Sequence, residues 1–253
     1  MSSTTIRLGH LYPREMSIYG DRGNIISLQD RSRRRGLELE VVEIGRGSHE
    51  VEDIDIFFMG GGQDQDQDLV ASDLAGPKRA AVQRAIEGGA ALLAVCGGYQ
   101  FLGSHYTTVD GTRLPGLGLV DLRTEAGQTR AIGNVLVDAS GLGLDPPTLV
   151  GFENHAGRTF LGEGLRPLGR CIVGRGNNGA DGAEGVASGT VIGTYLHGSL
   201  LPKNPHLTDH LLGIALAHRT PGAELAPLAA DEEMAAHRAM AERIRREGPL
   251  GNR

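Results

Sequence analysis

The stretch from Ala90 to Gly103, AALLAVCGGYQFLG, decides the fold that the rest of the chain must fit. The five residues from Ala91 to Val95 are continuously apolar, as in a strand that is buried on both faces of a parallel sheet. Gly97 and Gly98 permit the unusual backbone angles that a tight turn from strand to helix requires. The pattern predicts a buried strand that delivers Cys96 to a sharp turn at the start of a helix.

Two interpretations of Cys96 follow from this position. Near a helix N-terminus, the dipole and the unpaired N–H groups lower the pKa of a thiol and favour the thiolate, which is the arrangement of a nucleophile elbow. The alternative is a small buried hydrophobic residue, which is what most free cysteines are. The local sequence leaves both interpretations open.

Length and composition exclude several classes of protein. The 253 residues can bury the core of one large domain, which we expect to span 1–253. The net charge of −6 and the content of 4% aromatic residues argue against a general nucleic-acid binder. Two cysteines, Cys96 and Cys171, do not make a disulfide framework. The sequence shows no signal-peptide pattern and no apolar run of membrane-spanning length, so we expect a cytoplasmic protein.

Hydrophobic patterns predict alternating strands and helices over the first hundred residues. Strands are predicted over 6–11, 37–44, 54–59 and 91–95, and helices over 25–35, with Asp21 or Asn24 as the N-cap, and over 69–87. This order predicts a doubly wound α/β sheet. Short pieces at 135–137 and 148–155 look antiparallel, 174–189 resembles a mobile glycine-rich loop, and about 206–246 is helical.

Chemically capable residues follow three of the predicted strands. Gly60–Gly62 end the strand over 54–59, Cys96 ends the strand over 91–95, and His197 ends a strand over 191–196. Ligands bind outside the carboxyl ends of the strands in open α/β sheets, so the glycine loop and Cys96 are expected at one edge. The glycines are suited to a phosphate or an oxyanion, or form a flexible turn. His197 is a candidate base for the thiol.

Two other clusters do not predict a metal site. Asp64, Asp66 and Asp68 alternate with glutamines but lack the glycine and the distal glutamate of an EF-hand loop. His206 and His210 are four residues apart without a third ligand. We therefore predict no metal site.

Five motifs together carry a family resemblance. They are YGDRGNII at 19–26, FFMGGGQDQ at 57–65, CGGYQFLG at 96–103, GFENHAGRT at 151–159 and GTYLHGSLLPKN at 193–204. On these motifs the chain resembles class I glutamine amidotransferase domains of the cobyric-acid-synthase type. The last two motifs narrow the resemblance to glutaminase subunits of enzymes that amidate lipid II. The resemblance implies a flavodoxin-like α/β fold, in which helices flank a mostly parallel central sheet with an antiparallel extension.

The same resemblance implies a nucleophile and a base. Cys96 would attack the side-chain amide carbon of glutamine, while His197 would accept the thiol proton and then protonate the departing ammonia. Many class I domains read His-x-Glu, with the glutamate orienting the imidazole, whereas this sequence reads His197, Gly198, Ser199. The residues resemble a Cys-His dyad, so another group of this chain or a partner protein would orient the imidazole.

Four further residues take implied binding roles. The backbone N–H groups of Gly61 and Gly97 would form the oxyanion hole. Arg130 matches the family position that binds the α-carboxylate of glutamine, a role suited to a guanidinium fork. Gln100 matches a residue that lines the same pocket.

The resemblance also implies a partner. No P-loop motif occurs in the sequence, so we expect this chain to bind no cofactor. The resemblance implies that ATP and Mg²⁺ bind to a MurT-like Mur ligase subunit, which amidates D-isoglutamate of lipid II. Two alternatives stay open from the sequence: a glutaminase subunit for another acceptor, as in a cobyrinate-like pathway, or a noncatalytic α/β scaffold subunit.

Overall fold

The structure is a computed structural model that describes residues 4–17, 20–48, 51–62 and 64–249; Tyr19 and Gln63 of the quoted motifs lie outside the described residues. The helices in this part of the chain are α1 (Arg22–Arg33), α2 (Asp64–Leu74), α3 (Pro77–Glu87), α4 (Gly97–Gln100), α5 (Leu200–Lys203), α6 (Pro205–Arg219) and α7 (Asp231–Glu247). The strands are β1 (Thr5–Leu11), β2 (Glu38–Ile44), β3 (Ile56–Met59), β4 (Ala91–Val95), β5 (His105–Thr107), β6 (Arg113–Pro115), β7 (Leu122–Asp138), β8 (Thr148–Leu161), β9 (Gly169–Val173), β10 (Ala183–Glu184), β11 (Val186–Ser188) and β12 (Val191–Thr194).

The predicted parallel sheet is confirmed. Its strand order is β11-β12-β4-β3-β1-β2, and every neighbouring pair is parallel except β11 with β12. All five residues of β4 are buried, which explains why this strand reads as a continuous apolar run. The edge strand β2 instead combines exposed glutamates with buried and partly buried apolar residues. The carboxyl ends of β12, β4 and β3 therefore lie side by side.

The antiparallel part forms a second sheet. Its order is β10-β9-β7-β5-β6, with β8 paired to β7. The short pieces predicted at 135–137 and 148–155 are segments of one long hairpin, β7–β8, whose register shifts between Ala126 and Ala131. An isolated bridge between Phe152 of β8 and His197 joins this hairpin to the parallel sheet.

Two local predictions were wrong. The single helix expected over 69–87 is two helices, α2 and α3, because Pro77 occupies the first turn of α3 and cannot continue a helix from α2. The glycine-rich segment 174–189 is not simply a loop, since it contains β10 and β11. Its Asn177 amide donates to the Gly185 carbonyl and accepts from the Gly185 N–H, at 3.0 and 2.7 Å.

The C-terminal helices pack onto both parts of the fold. Arg31 of α1 is 2% exposed, and it donates to both carboxylate oxygens of Asp209 on α6 at 2.6 Å and to Glu233 of α7 at 3.1 Å. Ala241 and Ile244 of α7 form a small apolar cluster with residues of the β7–β8 hairpin. Among the described residues, no helix combines the length and the apolar character needed to cross a membrane.

Candidate active site

Cys96 lies at the sharp turn between β4 and α4, as predicted. Its backbone has φ 51° and ψ −104°, a conformation that costs about 1–3 kcal/mol for a non-glycine residue. The Cys96 N–H donates to the Thr194 carbonyl of β12 at 2.8 Å, so the turn is fixed to the neighbouring strand. A Cβ atom on Gly98 would collide with the Met59 carbonyl oxygen, which explains the glycine at this position.

The helix that follows Cys96 is shorter than the sequence indicated. The α4 helix has four residues, Gly97–Gln100. A single turn carries only a small macrodipole, since a helix dipole sums over aligned peptide units. Any effect on the thiol therefore comes from the individual N–H groups of the turn.

The glycine loop, Gly60–Gly62, is hydrogen-bonded to the turn that follows Cys96, but the N–H group of Gly61 does not point toward the thiol. The Gly98 N–H donates to the Gly60 carbonyl at 3.0 Å. The Gly61 N–H, predicted as an oxyanion donor, donates to Oδ2 of Asp21 at 2.7 Å. Gly62 lines the cavity beside Cys96 instead, and its nitrogen lies 3.0 Å from the position that a Cβ on Gly97 would occupy.

The chain leaves the parallel sheet just before His197, at the end of the strand that is paired with the strand before Cys96. Val95 and Thr194 are paired in register at the ends of β4 and β12, so both chains emerge at the same edge. The His197 N–H donates to the Phe152 carbonyl at 2.7 Å, and the Phe152 N–H donates back at 3.3 Å. The fold thus fixes the backbone of His197 through β8 without an acid at the position of Ser199.

The imidazole of His197 is held in its neutral form. It is 1% exposed, and burial lowers its pKa to about 3, with further lowering by His155 and by Arg130. A neutral imidazole retains the lone pair that a base requires.

Arg130 and Gln100 line one cavity of about 140 Å³ with Cys96. Arg130 donates from Nε to Oδ1 of Asn154 and from Nη2 to the Asn154 carbonyl, both at 3.0 Å, which leaves three of its five N–H groups for a ligand. Gln100 accepts from Nε2 of Gln67 at 3.2 Å and donates to the Tyr195 hydroxyl at 3.5 Å. Both side chains are therefore held in place at the wall of the cavity.

Sequence reasoning missed His155 and Gln67, which also line this cavity. The His155 ring stacks on Tyr195 with a centroid distance of 3.6 Å and an interplanar angle of 7°. Its Nδ1 donates to the Gly157 carbonyl at 2.9 Å, and its Nε2 lies 3.8 Å from Oε2 of the buried Glu153. The GFENH motif at 151–155 contains His155, but nothing in the pattern indicated that this residue reaches the site of Cys96.

No group of three or more His, Cys, Asp or Glu side chains suited to a metal occurs in the part of the chain that the structure describes. His206 donates from Nε2 to the Thr148 carbonyl at 3.0 Å, and its ring packs edge-on against His237. His206 is thus part of the packing between α6 and α7.

Comparison with known proteins defines the class of this site. Residues 7–205 match the model of the CobB/CobQ-like glutamine amidotransferase domain. The chain belongs to this family, and it is a glutamine-hydrolysing enzyme. The fold agrees: PurLQS from Thermotoga maritima superposes with a TM-score of 0.56 at 16% identity, covering 85% of this chain and 96% of that one. A glutamine amidotransferase from the same organism gives 0.52 at 14% identity, covering 96% and 91%.

Two curated relatives narrow the resemblance. The chain is 43% identical over 204 residues to the GatD subunit of lipid II isoglutaminyl synthase (glutamine-hydrolyzing) from Staphylococcus aureus, covering 80% of this chain and 81% of that protein. It is 36% identical over 213 residues to the subunit of the same name from Streptococcus pneumoniae, covering 83% and 80%. A cobyric acid synthase from Pelotomaculum thermopropionicum is 39% identical over 150 residues, which cover 53% of this chain and 27% of that protein.

Proposed function

We propose that this chain is the glutaminase subunit of an enzyme that amidates lipid II during peptidoglycan synthesis. The single observation that carries the proposal is the similarity to GatD over four fifths of both chains, at 43% identity. The arrangement of Cys96, Arg130 and Gln100 around one cavity supports it. In this proposal the chain works in the cytoplasm, where ATP is available to the ligase.

In the proposed reaction, Cys96 forms a covalent intermediate with glutamine. Neutral His197 takes the proton of the Cys96 thiol as the sulfur attacks the side-chain amide carbon. The C–N bond then breaks, His197 returns the proton to the leaving nitrogen, and ammonia departs from a γ-glutamyl thioester. Water adds to the thioester carbon with the help of His197, the C–S bond breaks, and glutamate and the free thiol are released.

The walls of the cavity supply binding and charge stabilisation. The free N–H groups of Arg130 are suited to the α-carboxylate of glutamine as a charge-assisted pair. Gln100, fixed by Gln67 and Tyr195, is suited to a polar group of the substrate. The negative oxygen of the tetrahedral intermediate would be bound by the N–H groups of Gly97 and Gly62, since the Gly61 N–H is bound to Asp21.

The ammonia would be used by a second protein. The partner in this proposal is a MurT-like Mur ligase subunit, which forms a heterodimer with this chain and holds ATP and Mg²⁺. The ligase would activate the α-carboxyl of D-isoglutamate in the lipid II stem peptide, and ammonia would convert it to D-isoglutamine.

Two measurements test this function. The chain is purified with the proposed MurT-like ligase subunit, and glutamate release and lipid II amidation are followed in the wild type, in Cys96→Ser and in Cys171→Ser. Cys171 is the matched control, because it is the other cysteine of the chain and lies on β9. We expect Cys96→Ser to abolish both products and Cys171→Ser to keep them. Equal glutamate release by the wild type and Cys96→Ser would contradict the mechanism, and glutamate release without lipid II amidation would contradict the acceptor.

A further inference from the structure

The carboxylate of Asp21 occupies an unusual place at the start of α1. Asp21 is the N-cap residue of α1, but its side chain makes no capping hydrogen bond. The other predicted cap, Asn24, is also used elsewhere, since its Oδ1 accepts from the Leu201 N–H at 2.9 Å. An aspartate at this position normally accepts from the first turn of its own helix. The side chain of Asp21 instead turns away from α1 and into the glycine loop.

Within the glycine loop, Asp21 fixes one peptide group. Its Oδ2 accepts from the Gly61 N–H at 2.7 Å, and the carboxyl group is 1% exposed. It also packs against Gly60 so closely that a Cβ on Gly60 would collide with Oδ2. Asp21 therefore sets the orientation of the peptide group between Gly60 and Gly61. The Gly62 N–H belongs to the next peptide group, between Gly61 and Gly62, whose orientation determines where this N–H points.

The backbone beside Asp21 is anchored from the other side of the active site. The Ser199 hydroxyl donates to the Gly20 carbonyl at 2.7 Å. A Cβ on Gly23 would overlap the Ser199 side chain, so the two segments are in close contact. Ser199 lies two residues after His197. Residues 20–21 thus connect the segment that carries the base to the loop that faces the nucleophile.

We infer that Asp21 is a positioning residue for glutamine hydrolysis, which holds the Gly60–Gly62 loop so that the Gly62 N–H faces the oxyanion. This inference rests on the proposed glutaminase chemistry. It does not require any particular acceptor for the ammonia. Asp21 touches neither the substrate nor the thiol in this assignment. It acts through the Gly61 peptide, as an acceptor that prevents this N–H from turning toward the cavity.

The burial of Asp21 is consistent with a role other than stability. Burial raises the pKa of Asp21 to about 7, and only the hydrogen bond from Gly61 opposes this shift. A carboxyl group in such a place costs folding free energy when it ionises. An acceptor that is uncharged would place the Gly61 peptide equally well, so the oxygen atom is the required feature and the charge is not.

The test compares two substitutions of Asp21 in the complex with the ligase partner, in a Cys171→Ser background. We expect Asp21→Ala to lower kcat for glutamate release by about 10- to 100-fold, less than the 10²- to 10³-fold loss of a whole oxyanion donor. The KM for glutamine should stay within about threefold. Asp21→Asn keeps an acceptor oxygen and should retain kcat within about threefold. Asp30→Asn, an exposed aspartate on α1, is the control for loss of a carboxylate.

Alkylation of Cys96 by iodoacetamide separates positioning from misfolding. This reaction needs an accessible thiolate but no oxyanion hole, so its rate should be the same in Asp21→Ala and the wild type. A parallel loss of alkylation and turnover, an unchanged or raised kcat in Asp21→Ala, or a kcat in Asp21→Asn as low as in Asp21→Ala would overturn the inference. If the wild type releases no glutamate, the proposed function fails with it. If the wild type turns over and Asp21→Ala keeps its kcat, only the inference about Asp21 fails.

Discussion

Removal of the Arg130 side chain is expected to weaken glutamine binding with little effect on chemistry. Two of the five N–H groups of Arg130 are bound to Asn154, and in the proposed complex the remaining three face the α-carboxylate of glutamine. A hydrogen bond to a charged group contributes about 1.5–3 kcal/mol, which corresponds to about a 10- to 150-fold change in affinity. Arg130 is exposed, so solvent screening favours the lower end. We expect Arg130→Ala to raise the KM for glutamine about 10- to 30-fold, with kcat within about threefold.

The assay measures ammonia release against substrate concentration in the absence of ATP, and a second substrate identifies the group that Arg130 binds. L-Glutaminamide carries an uncharged amide in place of the α-carboxylate, so the wild type and Arg130→Ala should use it with the same KM. Arg123→Ala is the matched control, because Arg123 is an exposed arginine on the same strand, β7, that packs over Phe160. An Arg130→Ala enzyme with an unchanged KM for glutamine, or with the same loss on L-glutaminamide, would refute the assignment of Arg130 to the α-carboxylate.

Two further predictions concern the base and the turn. Because the pKa of His197 lies well below the usual value of a histidine, the imidazole is neutral throughout the range from pH 8 to 5.5, and kcat/KM should stay flat there where an ordinary histidine would lose activity near pH 6.5. The acid limb should move to higher pH in Arg130→Ala, since Arg130 is one of the groups that lower this pKa; an acid limb centred near pH 6.5 in the wild type would contradict a buried neutral base. Gly98→Ala should destabilise the fold by about 1–3 kcal/mol in urea denaturation, because its Cβ would meet the Met59 carbonyl of a strand that is paired on both sides. Gly213→Ala on α6, where a Cβ meets no atom within 4 Å, should instead stabilise the fold by about 0.5–1 kcal/mol, and equal destabilisation of both variants would argue against the collision.

The parts of the site that could be predicted from sequence are those that strand ends determine. The continuous apolar run before Cys96 and the two glycines after it place Cys96 at the edge of the sheet from local information alone. The same logic located His197 after β12 and the glycine loop after β3. The structure places these three strand ends side by side in the sheet, an order that the strand pattern alone does not specify.

The parts that could not be predicted depend on contacts between distant segments. Three glycines in a row are equivalent in sequence, and only the contact with Asp21 distinguishes the Gly61 N–H from the Gly62 N–H. Asp21 itself has the sequence signature of a helix cap, so local chemistry pointed to α1. His155 lies in a strand of the second sheet, and the packing of that sheet over the first is set by long-range pairing that no short pattern contains.

The β7–β8 hairpin explains how the site can work without an acid after His197. Asn154 of β8 holds the Arg130 guanidinium, and Phe152, two residues earlier on the same strand, holds the backbone of His197 through two hydrogen bonds. In the proposed mechanism, the binding point for the substrate carboxylate and the base are therefore attached to one short segment of one strand. Because Phe152 and Asn154 lie two residues apart on one continuous strand, we expect the distance between these two groups to change little when glutamine binds. In the proposed mechanism, the backbone pairing of His197 with β8 would supply part of the positioning that a glutamate in a His-x-Glu motif would otherwise supply.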